Sequence, residues 1–538
     1  MRVLKESRKT FFLLSCCLFL FVKITNAQTG YHLTFVKDTI QGAPALHSGV
    51  CVSYNGKWIF IGGRTNGLHG FQPPFAFPTS GRNELIYVVD PQLNQTWQST
   101  ATVFPDSIFE AICSSNMEYF LDDSILYIVG GYGWKNSSAD FVTFPTLTSV
   151  NVELLINKIQ NNQSITGLFH QTSDSLLAVT GGHLVKMNAW FYLVFGHRFD
   201  GTYAATATGI YIQTYTEQIR KFSFNHFSTY DQVTFIHAAT DTTLYHRRDY
   251  NLTPQIFPDG SFGYTAFSGV FQKGINQPFF TTMNVQNDTG IINTAFNQQL
   301  ANYHCAVLPA FDSVNNKMHS WFFGGMAMYH IDTTNGQMVS DTAVPFVKTI
   351  SRVTRDGAGV MSEALENFSM HDYEGSNACI IWKKDSIELA SNEVLRLDKL
   401  THQTQVAWMV GGIVSPEPNI STTDPSSSFA SPFIYKIFIS PDSIAGLNKI
   451  IEAPCLMRIA PNPSNQVFNF ELYKYNTNAA VSLCIVDVKG AVIKVISENK
   501  KLNKNSVLSW DATLFPNGIY YAMLRNGNYR QSFVLIKD

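Results

Sequence analysis

Eight side chains in four predicted loops could together form a ligand-binding rim. They are Arg64, His69, Trp134, His197, Arg198, Asp200, Tyr329 and His330. Each loop follows a glycine that ends a predicted strand, and the equivalent loops of a repeat protein lie on one face. Aromatic rings together with guanidinium and imidazole groups suit a sugar, a peptide or a carboxylate ligand. The alternative is that these are ordinary polar loop residues, each bonded within its own turn.

Groups that could catalyse a reaction are sparse in this sequence. Asp200 and Glu417 are candidates, by location alone, for the carboxylate pair of a glycoside hydrolase, because the ~5–9 Å between such carboxylates cannot be derived from sequence. His47, His304 and His371 precede predicted inner strands and could line a channel, although a lone histidine there is more often structural. Cysteine and histidine spacings typical of zinc are missing. We therefore predict no catalytic residue, cofactor or metal site, and the sequence favours a binding protein without excluding an enzyme.

The elements that must hold these loops are hairpins that recur along the chain. In the first repeat, two apolar runs are joined by Asn55-Gly56, a strong hairpin signal because both turn residues take positive φ, and the second run ends on Gly62-Gly63. Five further glycines each follow an apolar run, at steps of 56 to 87 residues; they are Gly131, Gly196, Gly269, Gly325 and Gly412. Such self-similarity is typical of a solenoid or a propeller. We predict an all-β propeller of six blades over residues 28–440, with five or seven blades as alternatives.

The two ends of the repeat region predict how the ring closes. Residues 31–39 form a lone predicted strand before the first repeat, and the last repeat ends at residues 433–439 without an obvious fourth strand. A strand from the N-terminus would complete the last blade and remove its free edge. We therefore predict that the first strand closes the ring.

Four cysteines fall on the predicted first strand of a repeat, near the centre of the ring. They are Cys51, Cys113, Cys305 and Cys379. One interpretation is a pair of bridges between adjacent blades, Cys51 with Cys113 and Cys305 with Cys379, in an oxidising compartment. The other is that all four are small buried hydrophobic residues.

The N-terminus and the composition indicate a secreted globular protein. Basic residues precede the apolar run 11–22 and small residues follow it, which predicts a signal peptide over residues 1–27. No later stretch approaches the ~20 apolar residues of a transmembrane segment. By count, residues 28–456 carry 23 basic and 34 acidic side chains, whereas residues 457–538 carry 10 and 5. An acidic propeller argues against a nucleic-acid partner.

The C-terminal residues 457–538 predict a small β-sandwich after a linker at 441–456, because short alternating apolar runs are separated by Asn-Gly and Lys-Gly turns. Three local motifs stand out in this region. They are Pro461-Asn462-Pro463, an Asp-x-x-Gly turn at Asp487 and Gly490, and a Pro-x-Gly-x-Tyr strand at Pro516, Gly518 and Tyr520.

These motifs resemble the type A C-terminal sorting domain of type IX secretion substrates in Bacteroidota. The resemblance implies a partner, the type IX secretion machinery, and passage through the periplasm and the outer membrane. The domain is then either removed or used for attachment at the cell surface. The final residues 535–538 depart from the lysine-rich end of that family. A generic adhesive sandwich is the alternative.

The first propeller repeat resembles kelch repeats, in which a glycine doublet is followed by Tyr and Trp, here Tyr87 and Trp97. Combining both resemblances, we predict a secreted or cell-surface kelch-like propeller that binds a glycan or a surface protein without catalysis. The alternatives are a glycan-active hydrolase or lyase on the same scaffold, and a structural component of the cell surface.

Overall fold

The computed structural model describes most of the chain after the predicted signal peptide, which lies outside the described residues. The described ranges are 30–204, 210–226, 231–332, 337–420, 427–442, 456–474, 480–487, 491–502, 506–526 and 529–538. The chain divides into two compact units, the first ending at Asp442 and the second beginning at Ser443. In the described ranges, no helix has the length and apolar character needed to cross a membrane.

The first half of the first unit contains three four-stranded antiparallel sheets, preceded by β1 (Tyr31–Asp38). The first sheet is β2 (Val50–Tyr54), β3 (Lys57–Ile61), β4 (Leu85–Asp90) and β5 (Gln95–Thr100). The second is β6 (Glu118–Asp122) and β7 (Ile125–Val129), an inserted hairpin of β8 (Tyr132–Lys135) and β9 (Asp140–Thr143), then β10 (Thr146–Asn151) and β11 (Phe169–Ser173). The third is β12 (His183–Met187) and β13 (Trp190–Val194), an inserted hairpin of β14 (His197–Gly201) and β15 (Tyr211–Tyr215), then β16 (Gln218–His226) and β17 (Asp231–Thr240).

The second half of the first unit contains three further sheets, again built mainly from strands that follow one another along the chain. The fourth is β18 (Asn251–Ile256), β19 (Phe262–Phe267), β20 (Thr281–Gln286) and β21 (Thr289–Asn297). The fifth is β22 (Ala306–Asp312) and β23 (Lys317–Phe323), a hairpin of β24 (Tyr329–Ile331) and β25 (Met338–Ser340), then β26 (Thr349–Arg355) and β27 (Met361–Ser369). The sixth is β28 (Tyr373–Trp382), β30 (Thr404–Ser415) and β32 (Ile434–Pro441), completed by β1, while β29 (Leu395–Arg396) pairs with β22 and β31 (Phe429–Ala430) with β30.

Helices are short and lie between the strands. In the described ranges they include α1 (Asp106–Ile112), α2 (Val152–Gln160) and the 3-10 helices Thr79–Gly81, Ala101–Val103, Ser175–Leu177 and Leu397–Lys399. Asn151 caps α2, since its side chain accepts a hydrogen bond from the backbone N–H of Leu154 at 3.0 Å. The buried face of α2 packs into the apolar core between the first and second sheets.

The six sheets pack face to face and close into a ring. Apolar side chains of neighbouring sheets share buried clusters at each junction; examples are Val50 with Leu126, Val129 with Leu193, Val194 with Ala266, Phe267 with Phe322, and Leu308 with Val406. Trp58 of the first sheet meets Trp408 of the sixth edge to face, with ring centroids 5.2 Å apart. This architecture is a six-bladed β-propeller, and it confirms the predicted fold class.

The ring closes as the sequence predicts. Strand β1 pairs antiparallel with β32, so that Leu33 lies opposite Ile439. Phe35 stacks on Tyr435 at 4.2 Å between ring centroids, and Lys436 forms an ion pair with Asp38 at 2.7 Å. The N-terminal strand is therefore the outer strand of the sixth blade.

The cysteines differ from the prediction. Cys51 and Cys379 lie on the inner strands β2 and β28, but Cys113 follows helix α1 and Cys305 precedes β22. Helix α1 was not predicted, and it displaces Cys113 into the core between the first two blades. Cys51 and Cys379 share one apolar cluster, whereas Cys113 and Cys305 each belong to another, so the predicted pairs Cys51–Cys113 and Cys305–Cys379 are not brought together. The described cysteines are free thiols in the structure.

The second unit is a two-sheet sandwich. One sheet is β33 (Leu456–Ala460), β34 (Val467–Lys474) and β37 (Val507–Asp511); the other is β35 (Val481–Val486), β36 (Val492–Lys500), β38 (Gly518–Asn526) and β39 (Tyr529–Lys537). Phe468, Phe470 and Trp510 from the first sheet pack with Leu483 and Leu524 from the second. This arrangement confirms the predicted β-sandwich.

Candidate functional site

A ring of hydrogen bonds surrounds the propeller axis where the inner strands begin. Its members, which we call the central ring, are Ser48, Asn116, Gly181, Asp249, His304 and Asn377, one from each blade. Each backbone N–H from Asn116 onward donates to the carbonyl oxygen of the preceding member, at 2.8, 3.4, 2.8, 2.9 and 3.1 Å in that order. The Asn377 side chain donates to Ser48 Oγ at 3.1 Å. These bonds join all six blades at one level of the channel.

The positive φ angles of the central ring explain which residue types occupy it. Ser48, Asn116, Asp249 and Asn377 all have φ between 49° and 56°. Asn and Asp enter this left-handed region more readily than other side chains because their short polar groups bond locally. The ring thus explains why small polar residues precede the inner strands.

A wide cavity extends from the central ring to the far end of the inner strands. Its volume is about 1630 Å³, and its mouth is bounded by turns such as Asn55-Gly56, Asp123-Ser124 and Asn188-Ala189. Half-buried aromatic side chains lie in the wall and mouth; they include Tyr54, Trp190, Tyr264 and Trp382. A concave site with aromatic walls and a few fixed polar groups is the usual form of a ligand pocket.

Charged groups at the mouth are held in pairs. Lys221 pairs with Asp288 at 2.7 Å, and its ammonium lies 5.3 Å from the centre of the Trp190 ring. On the opposite wall, Lys383 pairs with Asp385 at 2.6 Å. Fixed pairs can offer donors and acceptors to a neutral polar ligand without imposing one sign of charge. The mouth therefore combines apolar ring faces with oriented hydrogen-bonding groups.

Two histidines lie deeper in the channel. His183 and His304 face each other with ring centroids 5.7 Å apart. His183 Nε2 donates to the carbonyl oxygen of Tyr250 at 2.9 Å, and His304 Nδ1 lies 3.2 Å from Asn377 Oδ1. Desolvation lowers the pKa of both imidazoles, and the neighbouring His304 lowers that of His183 further.

The three predicted channel histidines are not brought together. Only His304 lines the cavity. His47 is buried and reaches the carbonyl oxygen of Asn66 at 2.9 Å, while His371 lies beside Phe35, which belongs to β1. The prediction missed His183, which could have been found only by aligning the blades, because it stands two residues after a central-ring glycine.

Glu118 is a buried acid in the channel wall. Its carboxylate accepts a hydrogen bond from the backbone N–H of Gly182 at 2.8 Å, and burial raises the pKa of Glu118 to about 8. Because this value exceeds that of an unfolded glutamate, about 4.3, the proton stabilises the folded state. The stabilisation is complete below about pH 4 and is lost as pH rises toward the folded pKa of about 8.

We expect a Glu118→Gln variant to lose less stability than the wild type between about pH 4 and pH 8, since glutamine keeps an acceptor for Gly182 and does not titrate. Thermal unfolding of both proteins across this range measures the difference. Glu393→Gln, at the more exposed mouth, controls for removal of a carboxylate. Parallel curves for the wild type and the Glu118 variant would contradict the expectation.

Six of the eight predicted rim residues lie at the other end of the channel, on the first three blades. Arg64 is buried and donates to Asn66 Oδ1 at 3.0 Å and to the carbonyl oxygen of Pro78 at 2.7 Å. His69 stacks on Phe77 with ring centroids 4.1 Å apart. Burial lowers the pKa of His69 to about 4. Both side chains are thus engaged within the protein.

The rim residues of the second and third blades sit on the inserted hairpins. Trp134 is half-buried on β8 and donates to Asn136 Oδ1 at 3.1 Å. His197, on β14, is buried with its Nδ1 2.6 Å from Gln213 Nε2. Arg198 is exposed and pairs with Asp200 at 2.6 Å, and Asp200 also accepts from the Thr143 backbone at 3.0 Å.

Tyr329 and His330 lie apart from these six, on β24 of the fifth blade. Tyr329 packs against Phe280 of the fourth blade at 5.6 Å between ring centroids. His330 Nδ1 is buried and has no hydrogen-bond partner among the described residues. None of the eight lines the large cavity. Ligand binding by these residues stays a prediction, as does the carboxylate pair, in which Asp200 is engaged by Arg198 and Glu417 is exposed.

Two of the sequence motifs in the sandwich form specific hydrogen bonds, one of them to the last strand, β39. Asn462, between Pro461 and Pro463, donates to the carbonyl oxygen of Val534 at 2.7 Å and accepts from the Ile536 backbone at 2.9 Å. The Tyr520 hydroxyl donates to the carbonyl oxygen of Pro516 at 2.7 Å, across Gly518.

The Asp-x-x-Gly turn is described only in part. Asp487 Oδ1 accepts from the Ala491 backbone at 2.9 Å, and Gly490 lies outside the described residues. The bond spans the turn and brings its two ends together before β36.

Comparisons with known proteins agree with this division of the chain. Residues 458–537 match the family model of the secretion system C-terminal sorting domain. This match confirms the predicted sorting domain and supports export through the type IX system. The sorting domain at the C-terminus of this propeller indicates secretion or attachment at the outer cell surface.

Two solved structures show a distant likeness to the chain. The structure of YjhT has 11% sequence identity and a TM-score of 0.41, covering 74% of this chain and 98% of that one. A fungal alcohol oxidase of the AA5 family in complex with copper has 8% identity and a TM-score of 0.37, covering 94% and 98%. No curated protein matches the sequence.

Proposed function

We propose that the protein is a non-catalytic binding module whose propeller, residues 28–440, captures a glycan or a glycosylated surface protein outside the cell. The signal peptide 1–27 and the sorting domain 457–538, after a linker at 441–456, serve its export. The repeats are of a divergent kelch-like type. After export, the sandwich is either removed or retained for surface attachment.

The open mouth of the channel carries the proposal. Trp190 and Trp382 lie on different blades and are half-buried in the wall of a cavity of about 1630 Å³. Flat aromatic faces bind the apolar faces of sugar rings, and fixed ion pairs such as Lys221–Asp288 can bond the hydroxyl groups. The size of the cavity suits several sugar units rather than one small ligand.

We expect replacement of both Trp190 and Trp382 by alanine to weaken glycan binding roughly tenfold or more, since each ring contributes on the order of 1 kcal/mol. Binding is measured on the purified mature chain against a panel of polysaccharides and glycoproteins. Release of reducing ends is recorded in parallel, because turnover would favour the hydrolase or lyase alternative over a binding module.

Trp134→Ala is the matched control, because this tryptophan lies on the inserted hairpin at the other end of the channel. If Trp134→Ala abolishes binding and the double variant binds normally, the ligand site is the predicted rim and not the mouth. Equal thermal midpoints for the three proteins would show that the differences do not come from unfolding.

A further inference from the structure

Side chains at one position of the inner strands join neighbouring blades. The position, which we call the bridging position, stands two residues after each central-ring residue. In the second, third and fourth blades it holds Glu118, His183 and Asn251. Glu118 accepts from Gly182 at 2.8 Å, His183 donates to Tyr250 at 2.9 Å, and Asn251 accepts from Cys305 at 2.9 Å. Each bond reaches the inner strand of the following blade.

In the sixth blade the bridging position holds Cys379, and the following blade is the first. The inner strand β2 of the first blade carries Cys51, and Cys379 packs against the apolar cluster that contains it. Burial and, second to it, the neighbouring Cys379 thiol raise the pKa of Cys51. The bond between Asn377 and Ser48, at 3.1 Å, holds the beginnings of the two strands together. Both cysteines belong to one apolar cluster with Trp58 and Trp408. Two thiols therefore meet where three other blades use a hydrogen bond.

We propose that Cys51 and Cys379 form a disulfide that covalently joins the sixth blade to the first. The two residues are more than three hundred positions apart in sequence, so the bridge would enclose almost the whole propeller. The junction is also the one at which the chain must return to its beginning. A cross-link over such a long loop restricts the unfolded chain strongly.

The chemistry needs an oxidant of the disulfide class, such as oxidised glutathione or a disulfide-exchange protein. The thiolate of one cysteine attacks a sulfur of the oxidant and releases one reduced thiol, which leaves a mixed disulfide. The second cysteine then displaces the remaining thiol. In sum, the two protein thiols lose two protons and two electrons, and the oxidant disulfide is reduced to two thiols. Exported proteins meet such oxidants.

Access favours attack by Cys379. Both cysteines line the cavity, but Cys379 is half-buried whereas Cys51 is only 8% exposed. Burial raises the pKa of the Cys51 thiol above its usual range, so its thiolate is rarer. The other described cysteines are placed differently, since Cys113 follows α1, Cys305 contacts Asn251, and Cys484 lies on β35 of the second unit.

To test this, the purified mature chain is equilibrated in glutathione buffers that range from reducing to oxidising. It is then alkylated under denaturing conditions, and its peptides are analysed by mass spectrometry without reduction. We expect one linked pair of peptides containing Cys51 and Cys379, with both sites protected from alkylation. The thermal midpoint should rise by several degrees on oxidation. Alkylation of both cysteines in every buffer, or links to other cysteines instead, would overturn the proposal.

Variants separate the bridge from general effects of oxidation. Cys51→Ser and Cys379→Ser should each abolish the linked peptides and the redox dependence of the thermal midpoint. Cys305→Ser, which removes a buried thiol at the junction of the fourth and fifth blades, should keep both. If the thermal midpoint of Cys379→Ser still depended on the redox buffer, the proposed Cys51–Cys379 disulfide would be contradicted. If a variant folds poorly, the peptide analysis of the wild type still tests whether the disulfide forms.

Discussion

A mature chain that lacks residues 31–38 should unfold at a much lower temperature than the intact protein. These residues are β1, and without them the sixth blade has three strands and β32 becomes a free edge. The deletion removes the buried Leu33 and the stacking of Phe35 on Tyr435. Each large apolar side chain that is no longer buried costs about 1.5–3 kcal/mol, before the lost backbone bonds are counted.

We therefore expect a loss of about 5 kcal/mol or more, a large share of the 5–15 kcal/mol by which domains are stable. The exposed edge should also promote aggregation. Differential scanning calorimetry and light scattering measure the two effects. His32→Ala alters a side chain of β1 that is 72% exposed and should change little. A deletion that unfolds at the wild-type temperature would show that the ring does not depend on this closure.

Replacement of Gly130 by alanine is expected to destabilise the propeller by roughly 3–5 kcal/mol. Gly130 has a φ of +66°, and a Cβ there would stand 1.9 Å from the carbonyl oxygen of Val179 on the next blade. That oxygen accepts the backbone N–H of Gly131 at 2.9 Å, so the clash would disturb a bond between blades. The left-handed backbone adds its own cost of about 1–2 kcal/mol.

Gly260→Ala is the matched control for this variant. Gly260 has a φ of +82° in the turn before β19, but an added Cβ meets no atom within 4 Å. It should cost about 1 kcal/mol, from the backbone conformation alone. Chemical denaturation gives the free energy of unfolding of the two variants. The difference between them separates the cost of the steric clash at Gly130 from the cost of the left-handed backbone. Equal losses would mean that close approach between blades does not explain the glycine doublets.

Two blades show why the doublet is not invariant. Phe195 and Ser268 occupy the first doublet position of the third and fourth blades and have φ of 52° and 53°. Phe195 is buried, and its ring centre lies 5.4 Å from that of Tyr250. At these two positions the backbone keeps the left-handed conformation of the glycines, and the next blade leaves enough room for a side chain.

Much of the fold could be predicted because its signals are local. The Asn55-Gly56 turn needs positive φ at both residues, which few other residue types provide, and the structure has φ of 46° and 76° there. The need to cover a free strand edge predicted that β1 completes the last blade. The sorting domain could be identified because its motifs, such as Pro461-Asn462-Pro463 and the Pro-x-Gly-x-Tyr strand that ends at Tyr520, are short and local in sequence.

The placement of the candidate site was decided only by tertiary structure. Loop positions along the sequence predicted that His69 and Arg64 face a ligand, which stays a prediction; only the tertiary structure shows that they contact Phe77 and Pro78. The channel mouth opens at the opposite end, among Trp190 and Trp382 of distant blades. Likewise, Cys379 and Cys51 share one apolar cluster because ring closure places the sixth blade beside the first. Strand periodicity and turn chemistry are short-range properties, whereas these contacts depend on the closure of all six blades.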